Sequence, residues 1–229
     1  MKKDIKIIDN NIDTREVCYK CYRPKSSCMC KYIKSIKTNT KFIILMHPKE
    51  FRKTKNGTGH FVNLSLINSK IFVGIDFTNH NEINNIIDDK NNNCFVLYPS
   101  KRSINLNTTN IQESNKTNVI FIIDSTWDCS TKIIKSSKNI SALPMLSFTH
   151  NRISNFKFKT QPNQYCLSSI ESTLCVLELL VKYNIEDISD DSLELFLQPF
   201  NKMVEYQISQ AKNNHSIRYK VPYKSKSKI

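Results

Sequence analysis

Cys18, Cys21, Cys28 and Cys30 lie within 13 residues, as a C-x-x-C followed by a C-x-C. Thiolates are soft ligands, and two short-range pairs folded onto each other can close a four-sulfur cage around one tetrahedral zinc ion. Four buried or redox thiols, or an iron–sulfur cluster, are the alternatives. Arg23 and Lys25 sit inside this knuckle, and Lys31 and Lys34 follow it. A closed structural site there would present cations to a phosphate backbone.

The remaining length bounds the rest. A chain of 229 residues allows one sizeable core and a small appendage. No apolar run approaches the roughly 18–20 residues of a membrane span, so no membrane partner is expected. The charged start Met1-Lys2-Lys3-Asp4 carries no leader-like apolar stretch. Eight cysteines without such a leader point to a reducing, cytoplasmic setting and a metal rather than disulfides. Cys94, Cys129, Cys166 and Cys175 are scattered among apolar neighbours and read as core residues. The formal net charge of +14 favours a polyanion, and in such a protein that means nucleic acid. A general enrichment in Lys, Asn and Ile inflates that charge. No feature calls for an obligate protein partner.

Three units follow: the knuckle over 15–35, a main domain over 36–211 and a basic tail over 212–229. The main domain opens on five apolar segments, 42–46, 71–75, 94–98, 119–123 and 143–148. Most are continuous rather than alternating, the pattern of strands covered on both faces. Segments long enough for short helices separate them, so the fold class is α/β with a mainly parallel sheet. The last third is helical. Ile170, Leu174, Leu177 and Val181 fall on one face, and Ser168 and Glu171 have capping-box spacing at its start. A second stripe, Leu193, Leu197, Phe200, Val204 and Ile208, is expected to kink or break at Pro199. The tail interleaves cations with tyrosines and is expected to be disordered or to contact RNA.

Candidate chemistry gathers where these strands end, the usual ligand edge of a parallel sheet. After the first strand, Arg52, Lys53 and Lys55 precede Asn56-Gly57-Thr58-Gly59, which holds two of the chain's three glycines. Glycines let backbone amides approach an anion closely. Leu97-Tyr98-Pro99-Ser100 ends the third segment, where proline stops the ladder. Asp124-Ser125-Thr126-Trp127 ends the fourth and contains the only tryptophan. Asp124 there could accept a proton or hold a cationic group. Equally, Asp124 or Ser125 could cap a helix starting near Trp127, with Trp127 in the core. Ser168 and Ser169 open the long helix, whose first amides could receive a carboxylate. His47, His80, His150 and His215 read as structural or exposed.

Taken in order, these segments resemble the DTW-domain family of tRNA-uridine aminocarboxypropyltransferases. The resemblance rests on C-x-x-C-x-R-P-x-x-x-C-x-C at Cys18–Cys30, H-P-x-E at His47–Glu50, Thr58-Gly59, L-x-P-S at Leu97–Ser100, D-x-T-W at Asp124–Trp127, and an S-T-x-E-A-like segment at Ser168–Ser172. Ser125 departs from the usual glycine or alanine, Ser169 from threonine and Ser172 from alanine. The resemblance implies a fold related to the SPOUT superfamily, with a C-terminal trefoil knot and an N-terminal zinc knuckle. It implies S-adenosylmethionine as donor of a 3-amino-3-carboxypropyl group to N3 of a tRNA uridine, leaving methylthioadenosine. By the same resemblance Asp124 is the catalytic base. Leu97, Tyr98, Pro99, Ser100, Thr126, Trp127, Leu146, Ser147, Ser168 and Ser169 are expected to hold the donor. Arg52, Asn56, Thr58 and Gly59 are expected to contact substrate, and Cys18, Cys21, Cys28 and Cys30 to bind Zn2+. A SPOUT-like RNA methyltransferase and a non-catalytic, zinc-containing RNA-binding protein are the rival readings.

Overall fold

A computed structural model describes residues 16–52, 57–113, 115–156 and 165–213. Six strands form one sheet: β1 Lys41–Met46, β2 Ser69–Val73, β3 Asn92–Leu97, β4 Ile104–Asn105, β5 Thr117–Asp124 and β6 Met145–Ser147. The order is β2-β1-β5-β3-β6-β4, and every neighbouring pair is parallel. The five apolar segments each contain a strand. The two-residue β4 was not anticipated, because so short an element leaves no apolar pattern.

The continuous apolar runs are explained by helices on both faces. In β1, Phe42, Ile44 and Met46 point into one core, while Ile43 and Leu45 point into the other. The first core also takes Phe61 and Val62 from α2 (Gly59–Ser65), Ile170 and Leu174 from α6 (Ser169–Lys182), Phe196 from α7 (Asp190–Phe196) and Phe200 and Met203 from α8 (Gln198–Asn213). The second takes Ile83 from α3 (Asn81–Asp88), Ile133 from α4 (Trp127–Ser136) and Ile140 from α5 (Lys138–Ser141). The remaining helix, α1 (Pro48–Arg52), follows β1 directly. The stripe around Pro199 is broken rather than kinked: α7 ends at Phe196 and α8 begins at Gln198. Pro199 falls in the first turn of α8, where a missing N–H costs nothing.

Residues 16–40, which carry the knuckle, pack on the first core. Met29 is buried in it, and the Arg23 guanidinium lies 4.5 Å over the Phe61 ring and 3.1 Å from Met203 Sδ. The entry to β1 is clamped by buried Glu186, whose carboxylate accepts the Asn39 and Thr40 amides at 2.7 and 2.6 Å. No helix of the described residues is long and apolar enough to cross a membrane. The basic tail from residue 214, with His215, lies outside the described residues.

One feature of the sheet positions the site. β6 is inserted between β3 and β4, which are consecutive in sequence: Leu146 pairs with Leu97 on one side and Ile104 on the other. The connection 98–103 therefore runs past the end of β6. Ser103 Oγ lies 2.8 Å from the Ser100 carbonyl oxygen and 2.8 Å from Ser147 Oγ, fastening that connection to the strand.

Candidate active site and metal centre

The C-terminal ends of β3, β5 and β6 and the start of α6 enclose a cavity of about 350 Å³. That is within the range of small-molecule sites, roughly 300–1,000 Å³. Its walls are mixed. Leu97, Ile122, Leu146 and Phe148 supply apolar surface, and Ser168, Ser169 and Ser172 form a hydroxyl-rich side at the helix N-terminus. Of the residues expected to hold a donor, Leu97, Tyr98, Pro99, Trp127, Leu146, Ser147, Ser168 and Ser169 line this cavity. Ser100 and Thr126 do not. Ser100 is exposed in the turn after β3, and Thr126 is exposed at the N-cap of α4, with Ser125 facing the cavity instead.

Two readings of D-x-T-W are thereby decided. Thr126, not Asp124 or Ser125, is the N-cap of α4. Trp127 is 47% exposed and forms part of the cavity wall rather than the core.

Asp124 is the last residue of β5, opposite Met46 of β1, and is only 4% exposed. Its backbone carbonyl accepts the His47 amide at 3.1 Å. Its side chain accepts a hydrogen bond from the Ser169 hydroxyl through Oδ1. Because Ser169 opens α6, the carboxylate faces the positive end of that helix. Ser169 lines the cavity and Asp124 lies behind it, so one hydroxyl separates the carboxylate from the cavity.

Gly59 is buried against the same carboxylate, and Thr58 before it is also buried. A Cβ added at Gly59 would stand 2.5 Å from Asp124 Oδ2, 2.7 Å from its Cγ and 3.0 Å from Met46 Cε. Glycine is thus needed for close approach, not for φ. Gly59→Ala is expected to push the carboxylate out of line with Ser169. Turnover should fall at least about tenfold, while stability changes by about 1–3 kcal/mol; steady-state rates beside a thermal melt check this. Arg52 is exposed at the end of α1. Asn56 lies outside the described residues.

The capping box at α6 forms as its spacing predicts. Glu171 accepts the Ser168 amide at 2.8 Å, and the same carboxylate accepts the Ser154 hydroxyl at 2.8 Å and the Asn155 amide at 2.9 Å. Glu171 therefore closes the helix end and also holds 154–155 against it. Ser168 carries both a capping role and a place in the cavity wall.

Residues missed from sequence include Ser125, Ser130, Phe148, His150, Tyr165, Cys166 and Ser172, all on the wall. His150 is half-buried there rather than exposed, its ring 5.6 Å from Phe148, with Nδ1 buried and without a hydrogen-bond partner among the described residues. A histidine two residues beyond an apolar run carries no signal of its own. His47, by contrast, is buried, and its Nδ1 accepts the Lys49 amide at 3.1 Å.

At the knuckle, the sulfur atoms of Cys18, Cys21, Cys28 and Cys30 all lie within 4.8 Å of one another. Cys18 and Cys30 are 3.7 Å apart, as are Cys21 and Cys28. This set can hold a metal ion. The amides of Cys21 and Lys20 draw the Cys18 thiol down to about 6, whereas burial pushes Cys21 and Cys30 up. Arg23, only 2% exposed, brings a cation beside Cys21, Cys28 and Cys30; burial lowers its pKa to about 10, and those thiols oppose the shift.

The family model of the DTW domain matches residues 15–208, which include the knuckle, the sheet and the cavity. Among curated proteins the chain is similar to tRNA-uridine aminocarboxypropyltransferase 2 of Drosophila melanogaster, 26% identical over 208 residues, covering 88% of this chain and 78% of the relative. It is also similar to the proteins of that name from Mus musculus and Macaca fascicularis, each 22% identical. Those alignments cover 86% and 85% of this chain and only 65% and 64% of the two relatives. No solved structure matches. With its motifs distributed around one cavity and the family model spanning most of its length, the chain belongs to the DTW-domain family.

Proposed function

We propose that this protein transfers the 3-amino-3-carboxypropyl group of S-adenosylmethionine to N3 of a tRNA uridine. The observation that carries this reading is the cavity at the strand ends, walled by Leu97–Pro99, Trp127, Leu146–Ser147 and Ser168–Ser169, with Asp124 directly behind Ser169. The names of its relatives support this reaction class. The apolar wall and Trp127 suit adenosine, and the hydroxyls and first amides of α6 suit the donor's carboxylate.

In the transfer, N3 forms a bond to the terminal carbon of the aminocarboxypropyl chain. The bond from that carbon to sulfur breaks, its electron pair stays on sulfur, and neutral methylthioadenosine leaves. The sulfonium activates three carbons alike, so choosing this one over the methyl is a matter of orientation. The N3 proton goes to Asp124. Because the carboxylate lies behind the wall, the Ser169 hydroxyl receives the proton while passing its own to Oδ1. Threonine, the residue usual in the family at this place, keeps that hydroxyl.

Zinc fits the knuckle. A tetrahedral site with Zn–S bonds of about 2.3 Å has sulfur–sulfur edges of about 3.8 Å. The two 3.7 Å separations are close to that value. Four thiolates leave such a site with net negative charge, which suits the buried Arg23 beside it. Cys18, Cys21, Cys28 and Cys30 would hold the ion, which would tie residues 16–40 to the first core. A reducing, cytoplasmic setting suits the thiolates. The basic surface, on a chain of net charge +14, would grip tRNA phosphates, so affinity should fall steeply with salt. The insertion of β6 between β3 and β4 supports a SPOUT-type knotted arrangement.

Incubation with S-adenosylmethionine and unmodified tRNA, followed by mass spectrometry of nucleosides and small molecules, tests this. Aminocarboxypropyluridine with methylthioadenosine is expected. Methyluridine with S-adenosylhomocysteine would overturn the chemistry, and tRNA binding without donor consumption would overturn the enzyme.

A further inference from the structure

Three aromatic rings from distant parts of the chain meet between the knuckle and the site. Tyr22 comes from the knuckle, Phe51 from α1 and His60 from α2. The centroids are 6.3 Å apart for Tyr22–Phe51, 5.9 Å for Tyr22–His60 and 5.5 Å for Phe51–His60. His60 is the buried floor at 5% exposure, whereas Tyr22 is 50% and Phe51 40% exposed. Burial, and then the Arg23 cation, lower the affinity of His60 for a proton, so the floor is an uncharged ring.

The backbone makes Tyr22 unusual. Its φ is 56°, the left-handed region. The other two non-glycine residues with positive φ among those described, Asn115 and Asn184, are of the type that tolerates it. Tyrosine is not, and such strain persists only where the surroundings impose it. Here the turn between the metal-binding cysteines does so: the Tyr22 amide donates to the Cys18 carbonyl at 2.8 Å and the Cys18 amide to the Arg23 carbonyl at 2.7 Å. The result is a large ring held outward.

We propose that Tyr22 and Phe51, over His60, form a stacking platform for an unpaired nucleobase of the RNA substrate, beside the base that reacts. This rests on the reading of the chain as a tRNA-modifying enzyme. The charge around the platform favours a nucleic acid: Lys20, Lys49 and Arg52 are exposed on the same turn and helix, in a chain of net charge +14. Aromatic faces take bases while neighbouring cations take the phosphates. Its position ties it to the chemistry. His60 directly follows Gly59, which packs on Asp124, and α1 begins one residue after His47, whose amide bonds the Asp124 carbonyl. A base on this platform is therefore a close neighbour of the reacting uridine, and the metal knuckle orients substrate through Tyr22.

The test is a titration of the full-length, metal-loaded protein with an unmodified tRNA transcript across a salt series. The truncated variant is Tyr22→Asn with Phe51→Ala, asparagine being chosen because it accepts the left-handed backbone. Affinity should fall at least about tenfold, by loss of stacking. The dependence on salt should keep its slope, because stacking releases no counterions. The aromatic variant, Tyr22→Phe with Phe51→Tyr, should bind within about twofold of wild type, and both should keep their metal. Unchanged affinity in the truncated variant, beside a wild type that binds and modifies tRNA, overturns the platform alone; a protein-docking face would give this result. An equal loss in the aromatic variant, or a reduced salt slope, also overturns it. Failure of the wild type to bind tRNA removes the functional reading and the platform together.

Discussion

Asp124→Asn is expected to abolish the proposed transfer while leaving S-adenosylmethionine binding intact. The substitution keeps the shape of the side chain and an oxygen able to accept the Ser169 hydroxyl, so the hydrogen bond across the site should survive. The carboxylate's ability to take a proton is what goes. General-base catalysis contributes about 10²–10⁴-fold, and a loss of that size is expected in single-turnover release of methylthioadenosine. Calorimetric titration of the donor should change little, since Asp124 lies behind the cavity wall rather than on it. Ser169→Ala should lose rate to a similar degree, and Ser169→Thr should retain it. An Asp124→Asn protein that transfers within tenfold of wild type would show that the proton goes elsewhere.

Cys21→Ser should be the most destabilising single change at the knuckle. Cys21 is 1% exposed, and its sulfur is 3.7 Å from that of Cys28. With zinc bound as proposed, losing one thiolate would open the cage and remove negative charge beside Arg23, whose guanidinium is buried against Phe61 and Met203 in the main core. Disrupting a buried charge arrangement costs about 3–5 kcal/mol. For a domain of this size that lowers the melting midpoint by about 6–20 °C. Metal content should drop well below one ion per chain. Cys94→Ala is the control: Cys94 lies in β3, far in sequence from the knuckle, and should leave the metal in place. A Cys21→Ser protein that keeps one zinc and its melting midpoint would contradict this account. Because the knuckle shares a core with α2 and α8, the loss should reach the main domain and not stop at residues 16–35.

Local features were legible in the sequence because their causes are local. Two cysteine pairs within 13 residues make a set that can hold a metal ion without reference to anything else. Apolar runs, most of them continuous, dictated strands of a mainly covered sheet, and the spacing of Ser168 and Glu171 dictated a helix start that forms as read. Pro199 broke its helix because proline obstructs its own preceding turn.

What tertiary structure decided was assembly between distant segments. Nothing in Met145–Ser147 says that it enters between β3 and β4, since parallel register between separate segments leaves no mark in either one. Asp124 looked as much like a helix cap as a base. Only the fold removes the cap reading, since Thr126 caps α4 while Ser169 from 45 residues later and Gly59 from 65 residues earlier meet the Asp124 carboxylate. Trp127 read equally as core or wall, because an aromatic is buried only by what packs over it. Tyr22, Phe51 and His60 share no spacing at all. The sequence by itself determined which longer segments are strands and helices and which cysteines could hold a metal ion, through backbone preference and ligand chemistry acting over a few residues. The fold alone decided which of them meet, because burial and proximity belong to the packed whole.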